Sequence, residues 1–142
     1  VEMVASRLDH AGVGVKIEAA EPAPDVMGYQ SALRRALINV IINAEQFSAK
    51  NSEITLRIGQ QDGHGFVDVL DHGPGISKAD RKRIFEMFYT TRPQGTGLGL
   101  FLAKTALEKA GGKMAVFDNP EGGAWFRLSL PLASGPQEKI SV

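Results

Sequence analysis

Cysteine is absent from the 142 residues, which excludes disulfide frameworks, thiolate metal sites and cysteine nucleophiles. The absence is compatible with a cytosolic setting. Net charge is missing as well. Sixteen Lys and Arg balance sixteen Asp and Glu, which argues against a nucleic-acid binder that works by bulk charge. No apolar run approaches the roughly 18–20 residues of a membrane span. The first ten residues, VEMVASRLDH, lack the basic and apolar regions of a signal peptide. Aromatic residues make up only 7% of the chain, but 43% is apolar. A chain of this length buries roughly two-thirds of its unfolded surface and needs no disulfide or metal staple to fold.

What charge there is falls unevenly. Residues 1–76 carry 6 basic and 10 acidic groups, and residues 77–142 carry 10 and 6. The densest basic cluster is Lys78, Arg81, Lys82 and Arg83; it reads as a solvated helix face or as a docking surface.

Periodicity lays out the elements. Val1, Val4 and Leu8 recur at near-helical spacing, so residues 1–9 form a short helix or the end of a longer one. Val13, Val15 and Ile17 alternate with small or charged residues, the pattern of a half-buried strand. The stretch 21–25, EPAPD, is a loop by composition. From about Gln30 to Ser48, Leu33, Leu37, Val40, Ile41, Ala44 and Phe47 mark one face of the clearest amphipathic helix. Ile54, Leu56 and Ile58 alternate, and QDGHG at 61–65 turns back into FVDVL at 66–70, a hairpin. Ser77 is placed to cap a short basic helix. Another helix runs from about Leu98 to Ala110 and stops at Gly111-Gly112. A last hairpin folds across DNPEGG, and the polar tail from Ala133 reads as loose. About five strands in hairpin-type pairs with three helices interspersed predict a mostly antiparallel sheet with the helices on one face, a two-layer α/β sandwich.

Four segments carry chemistry. The loop GTGLGL at 95–100 leads straight into a helix. Glycines allow close approach of a ligand, and the helix start offers unpaired N–H groups suited to phosphates; a glycine hinge is the plainer reading. A Walker loop is excluded, because Lys104-Thr105 follows Ala103, and a Rossmann fingerprint fails at Leu100. Asp71-His72-Gly73-Pro74-Gly75-Ile76 closes a strand. A carboxylate there can accept a bond from an amino group such as that of adenine, or simply start an Asp turn. Asn39 and Asn43, with Gln46 beyond, share one stripe of the long helix. Their amide oxygens suit Mg²⁺ with phosphates as its main ligands, or a structural polar network. Finally, Phe85 and Phe88 in IFEMFY read alone as core packing.

In this order the four segments resemble the catalytic, ATP-binding domain of sensor histidine kinases, in the ATPase superfamily shared with DNA gyrase, the heat-shock chaperone ATPases and the MutL proteins. LINVIINAEQFS looks like the N box, DHGPGI the G1 box, IFEMFYTT the F box and GTGLGLFLAK the G2 box, while EGGAWFRLSLPL is similar to the last hairpin. The resemblance implies a Bergerat-type fold, a five-stranded mixed sheet with three main helices on one face. It implies an ATP-binding domain over 13–132, the end of a linker or dimerisation helix at 1–12 and a flexible tail at 133–142. By the same resemblance Asp71 receives the adenine amino group, Gly73 and Gly75 let the loop pass close to the base, and Ile76 packs on it. Asn43 is the main Mg²⁺ ligand, with Asn39 assisting. Residues Tyr89 to Thr96 form a short lid like those of nitrogen-sensing kinases. Arg92 reaches the γ-phosphate from that lid, and Gly97, Leu98, Gly99 and Leu100 wrap the phosphates. Phe85 and Phe88 anchor the base of the lid.

Two departures stand out. Gln46 occupies a position where the family often has Lys or Arg, so it offers a hydrogen bond without charge. No phosphoacceptor motif is present either: His10 precedes Ala-Gly, His64 lies in a hairpin turn and His72 sits inside the G1-like turn. The resemblance therefore implies a lobe that holds Mg-ATP and passes its γ-phosphate to a histidine on a separate helical dimerisation domain, with a response regulator downstream. Such a lobe is cytoplasmic, with no direct membrane contact and no nucleic-acid partner; the parent protein's own anchoring stays open. The alternatives are a non-catalytic nucleotide-sensing module and an anti-sigma-factor-type serine kinase.

Overall fold

The computed structural model describes residues 12–19, 25–26, 30–47, 52–86, 98–132 and 138–139. Among the described residues seven strands and three helices follow one another: β1 (Gly14–Ala19), β2 (Asp25–Val26), α1 (Gln30–Phe47), β3 (Glu53–Gln61), β4 (His64–Leu70), α2 (Lys78–Arg81), α3 (Gly99–Lys109), β5 (Lys113–Asp118), β6 (Ala124–Pro131) and β7 (Glu138–Lys139). Five strands form one sheet in the order β1-β3-β4-β6-β5. Only β1 and β3 run parallel; the other pairs are antiparallel. The sheet is therefore mixed and mostly antiparallel, as expected.

Local chemistry sets the connections. Asp62 and Gly63 both have positive φ, 51° and 77°, the backbone a tight two-residue hairpin turn needs, and they join β3 to β4. Ser77 caps α2, its Oγ accepting the Asp80 N–H at 3.1 Å. Helix α3 ends in a Schellman pattern: the Gly112 N–H donates to the Leu107 carbonyl at 2.8 Å and the Gly111 N–H to Glu108 at 3.0 Å, with Gly111 at φ 84°.

One face of the sheet holds the core. Leu37, Val40, Ile41 and Ala44 of α1 and Ala103 and Leu107 of α3 bury against Leu56, Val67, Val69, Phe126 and Leu128. The alternation is clean in β6, where Phe126, Leu128 and Leu130 point inward and Trp125, Arg127 and Ser129 outward. The third helix on this face is a single turn, α2; the helix expected at residues 1–9 lies outside the described residues.

The outer face carries a charged row. Arg57, Asp68 and Arg127 stand opposite one another on β3, β4 and β6. Arg127 grips Asp68 with two bonds, Nε to Oδ1 at 2.7 Å and Nη2 to Oδ2 at 2.9 Å. Arg57 adds Nε and Nη2 contacts to Oδ2 at 3.2 and 3.1 Å. Asp68 is fully buried beneath them. The bond to Asp68 raises the pKa of Arg127 above its ordinary value. The Arg127 guanidinium also stacks 3.8 Å from the Phe66 ring centroid.

Three expectations change. Val15 and Ile17 are 41% and 55% exposed rather than half-buried. They face the same side as Ile54 and Leu56, their partners on β3, but α1 and α3 pack over β4, β5 and β6 and leave the β1 edge uncovered. Asp25, placed in a loop by composition, belongs to β2. Its partner is β7, inside the segment expected to be a flexible tail, with Asp25 opposite Lys139 and Val26 opposite Glu138.

Removing the shared acceptor should matter more than removing one donor. Asp68→Ala leaves Arg127 facing a void and is expected to cost about 2–4 kcal/mol. Arg57→Ala, whose side chain is more exposed than that of Arg127 and makes the longer contacts to Asp68, is expected to cost less, about 1 kcal/mol. Urea midpoints of the two variants check the order.

Candidate functional site

Asp71 lies one residue past β4 and is 3% exposed. Its N–H donates to the Ala124 carbonyl at 3.0 Å, which extends the β4–β6 ladder. Its side chain is held in turn. Oδ1 accepts the N–H of Ala124 at 3.0 Å and that of Gly73 at 3.0 Å, while Oδ2 makes no hydrogen bond among the described residues. The Asp71 carbonyl accepts from Asn119 Nδ2 at 2.9 Å.

Asn119 is itself buried. Its Oδ1 accepts the Glu121 N–H at 3.1 Å, and its own N–H donates to the Gly123 carbonyl at 3.0 Å. Gly123, at φ 103°, passes so close that a methyl group there would collide with the Asp71 carbonyl. The β5–β6 turn thus clamps Asp71 from behind. Asn119, Gly123 and Ala124 were not singled out from the sequence. DNPEGG is a legible turn, but only the strand register shows that it meets a residue more than forty positions away.

The glycine turn after Asp71 rests on the same clamp. Gly75 has φ 80°, and a methyl there would stand 3.3 Å from the Gly123 carbonyl oxygen. Ile76 packs partly buried against the core. Arg81 Nε donates to the Ile76 carbonyl at 3.2 Å and Arg81 Nη2 pairs with Asp118 at 2.6 Å. Arg81 therefore pins this turn to the end of β5, while Lys78, Lys82 and Arg83 of the basic cluster are exposed. Phe85 stacks edge-on against Phe126, centroids 6.4 Å apart.

Helix α1 contributes Asn39 and Asn43, both half-buried. Four residues apart, they share one side of the helix. A methyl added at Gly99 would lie 3.9 Å from Asn39 Oδ1, so the start of α3 is seated directly against the Asn39 turn. Leu98 is the N-cap without a side-chain capping bond. The Leu102 N–H to the Leu98 carbonyl, 2.9 Å, begins the helical ladder, so the amides of Gly99, Leu100 and Phe101 precede it. Leu100 and Ile76 border the same core.

Arg92, Thr96, Gly97 and Phe88, with the rest of the expected lid, lie outside the described residues, as does the side chain of Gln46. Among the described residues no group of three or more His, Asp or Glu is placed to hold a metal ion. Two amide oxygens on one stripe still fit Mg²⁺, which takes few protein ligands when phosphates and waters supply the others.

Residues 28–134 match the sequence family described as histidine kinase-, DNA gyrase B- and HSP90-like ATPase. The chain is 30% identical to the sensor protein KdpD of Escherichia coli (strain K12) over 144 residues, covering 96% of this chain and 16% of that protein. It therefore spans about a sixth of that relative's length. Among solved structures it is similar to the mycobacterial sensor histidine kinase MprB, with a TM-score of 0.78, 30% identity and 92% and 91% of the two chains covered. It is also similar to full-length ShkA in complex with AMPPNP, with a TM-score of 0.83, 28% identity and 98% and 29% covered.

The clamp predicts separable losses. Asn119→Ala removes the donor to Asp71 and the acceptor for Glu121, and should cost about 1–3 kcal/mol. Asn119→Asp keeps that acceptor but sets a carboxylate oxygen against the Asp71 carbonyl, so it should cost at least as much. A urea midpoint for Asn119→Asp close to the native one, with Asn119→Ala strongly shifted, would assign the energy to the Glu121 bond instead.

Proposed function

The chain belongs to the histidine kinase-, DNA gyrase B- and HSP90-like ATPase family, and from that premise we propose that it is the ATP-binding lobe of a sensor histidine kinase. The observation that carries the reading is Asp71. One carboxylate oxygen is filled by two backbone amides, and the other is left to accept a further hydrogen bond in a nearly closed site. An adenine amino group is a donor of the right kind. The Gly73–Gly75 turn admits the edge of the base, and Ile76 offers it an apolar wall.

The triphosphate would then run toward the start of α3. The backbone of Gly97, Leu98, Gly99 and Leu100 would wrap phosphate oxygens, and the positive end of the helix dipole favours them. Gly99 has no side chain to keep phosphate from Asn39. Asn43 and Asn39 would hold Mg²⁺, which when bound neutralises charge on the transferring phosphoryl group. Gln46 donates a neutral hydrogen bond, and Arg92 meets the γ-phosphate from the lid formed by Tyr89 to Thr96, whose base Phe85 and Phe88 anchor.

Phosphoryl transfer is largely positioning and charge stabilisation, so this lobe orients the donor while the nucleophile comes from elsewhere. We assign that role to a histidine imidazole on a helical dimerisation domain of the same protein, which also supplies the proton acceptor, and the next acceptor to a response regulator. Residues 13–132 form the lobe, residues 1–12 the end of the linker or dimerisation helix, and residues 133–142 a tail. Among the described residues no helix is long and apolar enough to cross a membrane. The lobe works where ATP is, in the cytoplasm, whatever anchors the parent. Gln46, in place of a cation, favours one second reading, a module in which ATP binding drives docking without transfer.

The full-length protein, given ATP labelled on the γ-phosphate and Mg²⁺, should acquire label that is lost in acid and kept in alkali. Asn43→Ala should lower the rate of labelling at least about 100-fold. Acid-stable, alkali-labile label would indicate a serine or threonine acceptor. Nucleotide binding without label would move the assignment to a sensing module.

A further inference from the structure

The β1 edge is the least protected part of the sheet. All six residues are exposed, no proline interrupts them, and two of the four exposed large apolar residues among the described residues, Val15 and Ile17, lie here. Edge strands of this kind are templates for pairing unless something blocks them.

Backbone direction fixes which groups are available. The Gly14 N–H donates to the Ser52 carbonyl at 3.0 Å, so Gly14, Lys16 and Glu18 turn their backbone groups toward β3. Val15, Ile17 and Ala19 therefore turn theirs to the free edge. The side chains divide in the same way. Lys16 and Glu18 share the outer face, where Nζ and Oε1 approach to 3.2 Å, and Val15, Ile17 and Ala19 share the face that Ile54 and Leu56 occupy.

We propose that β1 is a self-association surface whose occupant is the β1 strand of a second copy of this chain, antiparallel about a two-fold axis through Ile17. The segment is self-complementary in that register. Ile17 meets Ile17 and Val15 meets Ala19, each pair exchanging the hydrogen bonds that the free edge leaves open. Lys16 meets Glu18 in the intervening non-hydrogen-bonded position, where cross-strand side chains are closest. A two-fold contact must be self-complementary, and one residue of slip would set Val15 against Glu18 and bring the apolar face out of register. The two five-stranded sheets would continue as one.

A ladder of this length covers less than the roughly 1,200 Å² of a stable interface. The free chain should accordingly associate with a dissociation constant on the order of 1 mM, while tethering two copies in one protein raises the effective concentration into that range. Charge reversal tests both surface and register by sedimentation of the chain at concentrations up to about 2 mM. Lys16→Glu alone and Glu18→Lys alone should each weaken self-association at least about tenfold. Mixing the two single variants should restore association between unlike copies, and the double variant should regain native behaviour. All these sites are exposed, and unchanged urea midpoints confirm that folding is intact. A native chain that stays monomeric at that concentration, or single variants that associate like the native chain, would overturn the proposal.

Discussion

Everything at the site depends on the hold that the β5–β6 turn exerts on Asp71. A buried carboxyl group is costly unless its oxygens are satisfied. Here satisfaction comes from fixed backbone, the amides of Ala124 and Gly73, rather than from a mobile side chain. The carbonyl of the same residue is tied to Asn119, and Gly123 lets the turn approach closely enough to do it. The remaining acceptor is thus aimed by the sheet. Adjacent strands β4 and β6 are the rigid base, and the glycine turn at 73–75 rests on Gly123 and is anchored by Arg81.

The two faces of the sheet divide the work. On the inner face α1 and α3 pack against each other and the strands, which brings the asparagine stripe beside the glycine start of α3. The start of α3, the asparagine stripe and the strand that leads into Asp71 all belong to elements that share that core. The outer face is held by the Arg57–Asp68–Arg127 row across β3, β4 and β6, with Phe66 beneath the guanidinium of Arg127. That row ties together the strand carrying Asp71 and the strand that clamps it.

Local patterns in the sequence make much of this legible. The stripe Leu33, Leu37, Val40, Ile41, Ala44 marks α1, Asp62-Gly63 marks the hairpin, Ser77 the cap and Gly111-Gly112 the helix stop, because each rests on interactions within a few residues. The grouping of Asp71 with Gly73 and of Asn39 with Asn43 is local too. The clamp is different. Asn119 and Gly123 look like ordinary turn residues until the register sets them against Asp71. Asp68 reads as an outward residue of a strand, and its burial depends on arginines from two other strands. Val15 and Ile17 have the alternation of a half-buried strand, but their exposure follows from their position at the end of the sheet order, beyond the reach of α1 and α3.

The most direct test of the account is nucleotide choice at Asp71. Calorimetric titration would compare Mg-ATP with Mg-ITP, which replaces the base's amino group by a carbonyl. An Asp71→Asn variant keeps an oxygen for the Ala124 and Gly73 amides and replaces the second acceptor by an amide donor. The native chain should prefer ATP by about tenfold or more, and Asp71→Asn should lose that preference or reverse it. A variant that folds and still prefers ATP as the native chain does would contradict the assignment of Asp71 to the base.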